Sequence, residues 1–130
     1  MHIRIDIPNE IIARSLKKAA DTGLKIHLSE VDIIFNTHDD SKGGGIQLYD
    51  KLTEEMKLAQ AQKYADLVNM YKDIVPKEQQ YGITFWGFND RDTWIRRFFK
   101  MIDWPTIYDD NLLPKPAFYG FLNALKKDSN

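Results

Sequence analysis

The alternation of apolar and polar residues predicts a helix followed by a strand in the first quarter of the chain. Apolar residues recur at helical spacing between Asn9, a favourable N-cap, and Gly23, a residue typical of the position just after a helix. Residues 24–34 then alternate with a period of two. This pattern predicts a buried strand whose last inward positions, Glu30 and Asp32, are acidic.

The rest of the chain continues the alternation of helices and strands. The predicted order of elements is helix, strand, helix, strand, helix, after a short opening stretch. The later segments are a long loop at residues 36–49, a helix capped by Thr53 that ends before Pro76, a short strand at residues 81–86 followed by Gly87, and a helix from Pro116 to about Lys127. Strands that alternate with helices favour crossover units and a parallel sheet.

In parallel α/β folds, ligands bind beyond the carboxyl ends of the strands. Glu30 and Asp32 end one predicted strand, and Trp86 ends the next. We therefore expect these side chains to share one edge of the sheet, where chemistry would take place.

Composition narrows the class of ligand. The 130 residues carry a net charge of −1 and no cysteine, which argues against nucleic acid, anionic membranes and thiolate chemistry. No apolar run reaches the roughly 20 residues that cross a bilayer, and His2, His27 and His38 lack the spacing of metal ligands. A neutral ligand is expected, with neither metal nor cofactor.

Four segments, in order, resemble one enzyme family. Leu28–Ile33 (LSEVDI) resembles the seventh-strand motif of family 10 glycoside hydrolases, the β-1,4-xylanases with a TIM-barrel fold. The family's eighth strand and the loop after it are similar to Trp86-Gly87-x-x-Asp90-x-x-Thr93-Trp94. Its approach to the final helix is similar to Tyr108–Tyr119 (YDDNLLPKPAFY), and the end of its sixth strand is similar to His2-Ile3. The resemblance implies the C-terminal portion of a (β/α)8 barrel, from the end of strand six through helix eight, with residues 1–130 as one incomplete domain.

The resemblance also implies catalytic roles. Glu30 would be the nucleophile of a retaining mechanism on xylan, and His2 and Asp32 would support it by hydrogen bonding. The spacing alone is also compatible with Glu30 being an ordinary surface carboxylate.

Trp86 and Trp94 are candidates for a sugar platform, and Asp90 and Arg91 for hydrogen bonds to sugar hydroxyls. The alternatives are core tryptophans and a solvated charged loop.

Retaining hydrolysis takes a second carboxyl group as acid/base, and the family carries it in an Asn-Glu motif at the end of the fourth strand. Asn9-Glu10 lies at the start of the first helix instead. The chain alone is therefore expected to be inactive. Its expected partners are xylan or xylo-oligosaccharide as the ligand, and either an N-terminal barrel half or a second copy of the chain as the protein partner. A non-catalytic carbohydrate-binding or structural fragment is the alternative.

The family resemblance also implies a secreted or cell-envelope location, although Met1–Arg4 does not open a signal peptide. A sheet cut from a barrel is further expected to expose unpaired strand edges and an apolar interior.

Overall fold

The computed structural model describes residues 1–38 and 45–128. Its centre is a sheet of three parallel strands, His2–Arg4, Ile26–Ile34 and Gln80–Phe85, which lie side by side in that order. The strands are β1 His2–Arg4, β2 Ile26–Ile34, β3 Thr37–His38, β4 Gly45–Ile46 and β5 Gln80–Phe85. The helices are α1 Asn9–Ala20, α2 Glu54–Ile74, α3 Trp94–Phe98 and α4 Pro116–Lys126. Two 3-10 turns span Lys77–Gln79 and Asp90–Asp92. The predicted order of helices and strands is confirmed. The opening stretch is itself a strand, parallel to β2 and in register from His2 opposite Asp32 to Arg4 opposite Ile34.

The two longer predicted helices form near their expected bounds. Thr53 caps α2 as predicted, because its side chain accepts the backbone N–H of Met56 at 3.2 Å. The cap predicted for α1 is wrong: Pro8 holds the N-cap position and Asn9 is already helical. The Asn9 side chain instead donates to Asp66 at 2.8 Å, which ties α1 to α2.

The core lies between the sheet and the helices. Ile3, Leu28 and Ile33 from the strands pack with Tyr64 and Leu67 of α2 and are all at most 4% exposed. Burial of this apolar area is the main stabilising contribution to the fold.

The exposed residues of the three-stranded sheet are polar, apart from the ring of Tyr81: His2, Arg4, His27, Ser29, Glu30 and Thr84. His27 Nε2 and Thr84 Oγ1 lie 2.8 Å apart and join β2 to β5. The expectation of an exposed apolar barrel interior is therefore wrong for these strands. The expectation of open edges holds within residues 1–38 and 45–128, where β1 and β5 each pair with a neighbour on one side only.

The predicted loop at residues 36–49 contains an antiparallel pair. Thr37 lies opposite Ile46 and His38 opposite Gly45, and residues 39–44 fall outside the described part of the chain. A side chain at position 45 would clash, since its Cβ would lie 2.2 Å from the carbonyl oxygen of Thr37. Two residues per strand are too few to give a periodic signal in the sequence.

A buried carboxylate holds the carboxyl end of β2. The backbone amides of Phe35, Asn36 and Trp104 donate to Asp103 over distances of 2.7 to 3.2 Å, and Asp103 is 0% exposed. Burial raises the pKa of Asp103 to about 6, although these amide bonds favour its charged form.

The raised pKa of Asp103 predicts a pH-dependent stability. Between pH 4 and 6 the folded state holds a proton on Asp103 that the unfolded state has released, so this group stabilises the fold as the pH falls through about 6. Asp103→Asn lacks this proton-binding group. We therefore expect the difference in free energy of unfolding, wild type minus Asp103→Asn, to rise by about 2 kcal/mol when the pH falls from 7 to 4.5. Urea titrations of both proteins at the two pH values measure it, and a constant difference would contradict the prediction.

No helix within residues 1–38 and 45–128 is both long and apolar enough to cross a membrane.

Candidate active site

The start of β1 and the neighbouring part of β2 bring together the predicted imidazole and carboxylates. His2 Nδ1 lies 2.9 Å from Asp32 Oδ1, and His2 Nε2 lies 3.4 Å from Glu30 Oε2. The parallel register that sets His2 opposite Asp32 makes this contact possible. The imidazole thus bridges the two carboxylates.

Asp32 is the buried member of the cluster, with a side chain that is 0% exposed. Its Oδ2 accepts the indole N–H of Trp94 at 2.8 Å, while Oδ1 faces His2. Burial raises the pKa of Asp32, and the bonds from Trp94 and His2 act in the opposite direction. With both oxygens occupied, Asp32 is placed to orient His2 rather than to reach a ligand.

Glu30 is the accessible member, with a side chain that is 51% exposed. Its φ of 55° lies in the left-handed region, where a non-glycine residue is uncommon. The pairing of β2 with β5 is irregular at this point, since Leu28 lies opposite Ile83 and Val31 opposite Phe85. The regular alternation predicted for β2 is wrong here: from Val31 to Ile34 every residue is buried. This β-bulge turns the carboxylate of Glu30 out of the strand.

Trp86 stands beside this cluster, directly after β5. Its backbone N–H donates to the carbonyl of Val31 at 3.1 Å, and its ring meets that of His2 edge-on with centroids 6.4 Å apart. Gly87 follows with a φ of 79°, which allows the chain to turn sharply. The side chain remains 44% exposed, so an indole surface is accessible next to Glu30.

Trp94 joins the cluster in a different way. Besides its bond to Asp32, its ring lies 4.7 Å from that of His2, 4.9 Å from His38 and 5.2 Å from Phe99, centroid to centroid. Rings surround it on several sides. The geometry therefore favours a role in holding Asp32 over that of an open platform.

The structure places Asp90 in the interior, at 1% exposure. Its Oδ1 accepts two bonds from Thr106, from the backbone N–H at 2.9 Å and the hydroxyl at 2.8 Å, and its Oδ2 lies 2.8 Å from Lys115 Nζ. Burial raises the pKa of Asp90 and lowers that of Lys115, although each charge favours the other. Asp90 thus supports the loop from within, and these contacts leave it no oxygen for a sugar.

Arg91 is not part of the cluster. Its side chain is 58% exposed, and its Nε lies 3.7 Å from Asp92. An exposed ion pair of this kind contributes little to stability. Arg91 is therefore a solvated residue in the 3-10 turn that precedes α3.

Sequence reasoning missed Lys115, the residue on which the interior of this loop depends. Its Nζ donates to the carbonyls of Trp104 and Thr106 at 2.8 and 2.7 Å in addition to its contact with Asp90. The one signal in the sequence is a lysine fixed between two prolines, Pro114 and Pro116, which does not reveal its distant partner.

The cluster presents one accessible carboxylate beside an imidazole. In residues 1–38 and 45–128 no group of three or more His, Cys, Asp or Glu side chains is arranged to hold a metal ion. Glu30 is accessible and His2 can hold its orientation, while Asp32 and Trp94 fix His2 from behind. This arrangement suits attack by Glu30 on an electrophilic carbon at the edge of the sheet.

Comparison with known proteins identifies the family. The sequence profile of Glycosyl hydrolase family 10 matches residues 1–124. Endo-beta-1,4-xylanase Xyn10C of Cellvibrio japonicus is 35% identical over 133 residues, an alignment that covers 96% of this chain and 22% of that protein.

Solved structures agree with the sequence match. A thermostable mutant of the xylanase Xyn10A from Cellvibrio japonicus has a TM-score of 0.81 at 30% identity, and the match covers 98% of this chain and 38% of that one. A mutant of xylanase 10C from the same organism, in complex with xylopentaose, has a TM-score of 0.81 at 35% identity over 96% of this chain and 26% of that one. The sheet and helices described above are thus the C-terminal portion of a (β/α)8 barrel, and the chain belongs to glycosyl hydrolase family 10.

Proposed function

We propose that this chain carries the nucleophile of a retaining glycoside hydrolase that cleaves the main chain of xylan. One observation carries the proposal: an accessible carboxylate, Glu30, lies 3.4 Å from an imidazole, His2, that a buried aspartate holds at 2.9 Å. The relatives support the substrate class, since Xyn10C is an endo-β-1,4-xylanase and a solved structure of it contains xylopentaose. Trp86 supplies an exposed indole that can lie against a neutral sugar ring.

In the proposed mechanism, Glu30 attacks the anomeric carbon while the bond from that carbon to the leaving oxygen breaks. The leaving oxygen takes a proton from a second carboxyl group, and the sugar remains as an ester on Glu30. That second group, now a base, takes a proton from water, which then attacks the anomeric carbon and releases Glu30. His2 keeps the Glu30 carboxylate in position through the cycle, and Asp32 keeps the imidazole ring from turning.

The proposal assigns the acid/base to a separate part of the barrel. Asp32 is fully buried with both oxygens bonded, and Asp90 is buried against Lys115. Retaining enzymes hold the acid/base carboxyl about 5 Å from the nucleophile carboxyl and open to the substrate. Neither of these two buried aspartates can act in that way. Barrel strands supplied as a second chain would also pair with the open edges of β1 and β5. Xylan is too large to enter a cell, so we place the assembled enzyme outside the cytoplasm.

A direct test compares the chain alone with the chain mixed with strands one to five of a family relative. We expect no release of reducing sugar from xylan by the purified 130-residue chain and measurable release by the mixture, since only the mixture contains both carboxyl groups. Hydrolysis by the chain alone, with contaminating hydrolase removed, would contradict the assignment of the acid/base.

The exposed indole of Trp86 favours a second candidate function, carbohydrate binding without catalysis. This alternative predicts that insoluble xylan retains the chain while an assembled barrel releases no sugar. The mixture described above therefore separates the two functions.

A further inference from the structure

A second polar cavity lies outside the candidate active site. Its volume is about 550 Å³, within the range of small-molecule sites. It opens between the segment that leads into α2 and the loops around α3, and it shares no residue with the cluster of His2, Glu30 and Asp32. The lining residues used below are Lys51, Arg96, Trp104, Asp109, Asp110 and Asn111.

Two hydrogen-bonding side chains at this cavity are fixed in place by the protein. Arg96 donates from Nε to the carbonyl of Asp103 and from Nη1 to Asp110, both at 3.0 Å. Asp109 accepts the backbone N–H of Asn111 at 2.8 Å through its Oδ1. Within the described residues, Arg96 Nη2 and Asp109 Oδ2 have no hydrogen-bond partner, so a rigid donor and a rigid acceptor remain for a ligand.

Trp104 provides an aromatic wall. Its backbone carbonyl accepts bonds from Gln60 at 2.7 Å and Lys115 at 2.8 Å, and its ring packs edge-on against Phe35 with centroids 6.4 Å apart. The residue is thus anchored, half-buried and part of the lining of the cavity. An indole beside fixed polar groups is suited to a sugar ring, which has apolar faces and a polar rim.

The charges at the cavity balance. Asp90 is neutralised by Lys115 at 2.8 Å. The remaining charged lining residues are three acidic and three basic side chains: Asp50, Asp109, Asp110, Lys51, Lys57 and Arg96. A site without net charge favours a neutral polyhydroxyl ligand over a phosphate or a carboxylate.

We propose that this cavity is a second sugar-binding site, which takes a neutral pyranose unit of an oligosaccharide at a place separate from the cleft at Glu30. The proposal goes beyond the hydrolysis proposed above, because binding at Trp104 requires neither Glu30 nor a second carboxyl group.

The test is a titration of the ¹⁵N-labelled full 130-residue chain with xylotriose, followed by NMR of its three indole N–H signals, assigned with Trp86→Phe and Trp94→Phe. We expect the Trp104 signal to shift and to saturate. Asn111→Ala removes an exposed side-chain amide from the lining of the cavity and leaves the backbone bonds of this loop in place. It should raise the half-saturation concentration of the Trp104 signal roughly three- to tenfold, the loss expected for one hydrogen bond to the sugar.

Trp86→Phe distinguishes this site from the cleft. If the Trp104 titration persists in Trp86→Phe with the same half-saturation, the second site is supported. A Trp104 signal that does not move, or that moves only while Trp86 is present, would overturn it. A response at Trp86 alone would overturn the second site and leave the proposed hydrolysis standing.

Discussion

Replacing Glu30 with alanine is expected to lower xylan hydrolysis by the assembled barrel by about 10⁴-fold or more, the scale seen when a covalent nucleophile is removed. Glu30 is the accessible carboxylate of the cluster, and Asp32 cannot take its place because both of its oxygens are bonded and buried. Reducing-sugar release by the mixed chains measures the effect. Glu10→Ala, a change at an exposed position of α1 away from the site, is the matched control and should keep full activity.

Azide identifies the role of Glu30 more sharply than loss of rate does. In Glu30→Ala a small anion can enter the space of the missing carboxylate and attack the anomeric carbon of an activated xyloside. The product is then a glycosyl azide of inverted configuration, since a single displacement replaces two. Full activity of Glu30→Ala without azide would contradict the nucleophile assignment, and so would rescue that gives a product of retained configuration.

Replacing Lys115 with methionine is expected to lower the free energy of unfolding by about 3–5 kcal/mol, the usual cost of leaving a buried charge unpaired. Lys115 is 3% exposed and Asp90 is 1% exposed, so water cannot replace the missing ammonium. The carbonyls of Trp104 and Thr106 lose a donor as well. Urea unfolding measures the change.

Two variants make the Lys115 prediction specific. Lys126→Met removes an exposed lysine from α4 and should change the stability by less than about 0.5 kcal/mol. Adding Asp90→Asn to Lys115→Met removes the unpaired charge and should restore part of the loss, which a double-mutant cycle would show as a favourable coupling. A Lys115→Met protein as stable as the Lys126→Met control would mean that the ion pair contributes nothing.

The parts of the fold that the sequence predicts are those with a long periodic signal. The 12-residue α1 carries such a signal, and the 21-residue α2 is marked by the capping hydroxyl of Thr53 and the stop at Pro76. Strand β1 has three residues and α3 has five, too few for a period to emerge. The cap at Asn9 failed because a partner on another helix, Asp66, competes for its side chain. Local preference is a weak guide where a tertiary contact is available.

The candidate site also has a part that the sequence predicts and a part that it does not. The positions of Glu30 and Asp32 at the end of a strand, and of Trp86 at the end of the next, follow from the general rule for parallel sheets. The charged residues of the following loop do not: Asp90 is held by Thr106 and Lys115, and no local pattern could indicate that it lies inside. The role of Trp94 likewise depends on a bond across the fold, to Asp32.

The left-handed backbone at Glu30 has a consequence for attempts to stabilise this protein. A φ of 55° is one that glycine adopts freely and that costs other residues roughly 1–2 kcal/mol. Selection of variants for thermal tolerance alone would therefore favour glycine at position 30. The change that most simply relaxes the main chain would remove the carboxylate that we propose as the nucleophile. A stability screen of this chain therefore needs a simultaneous screen for function.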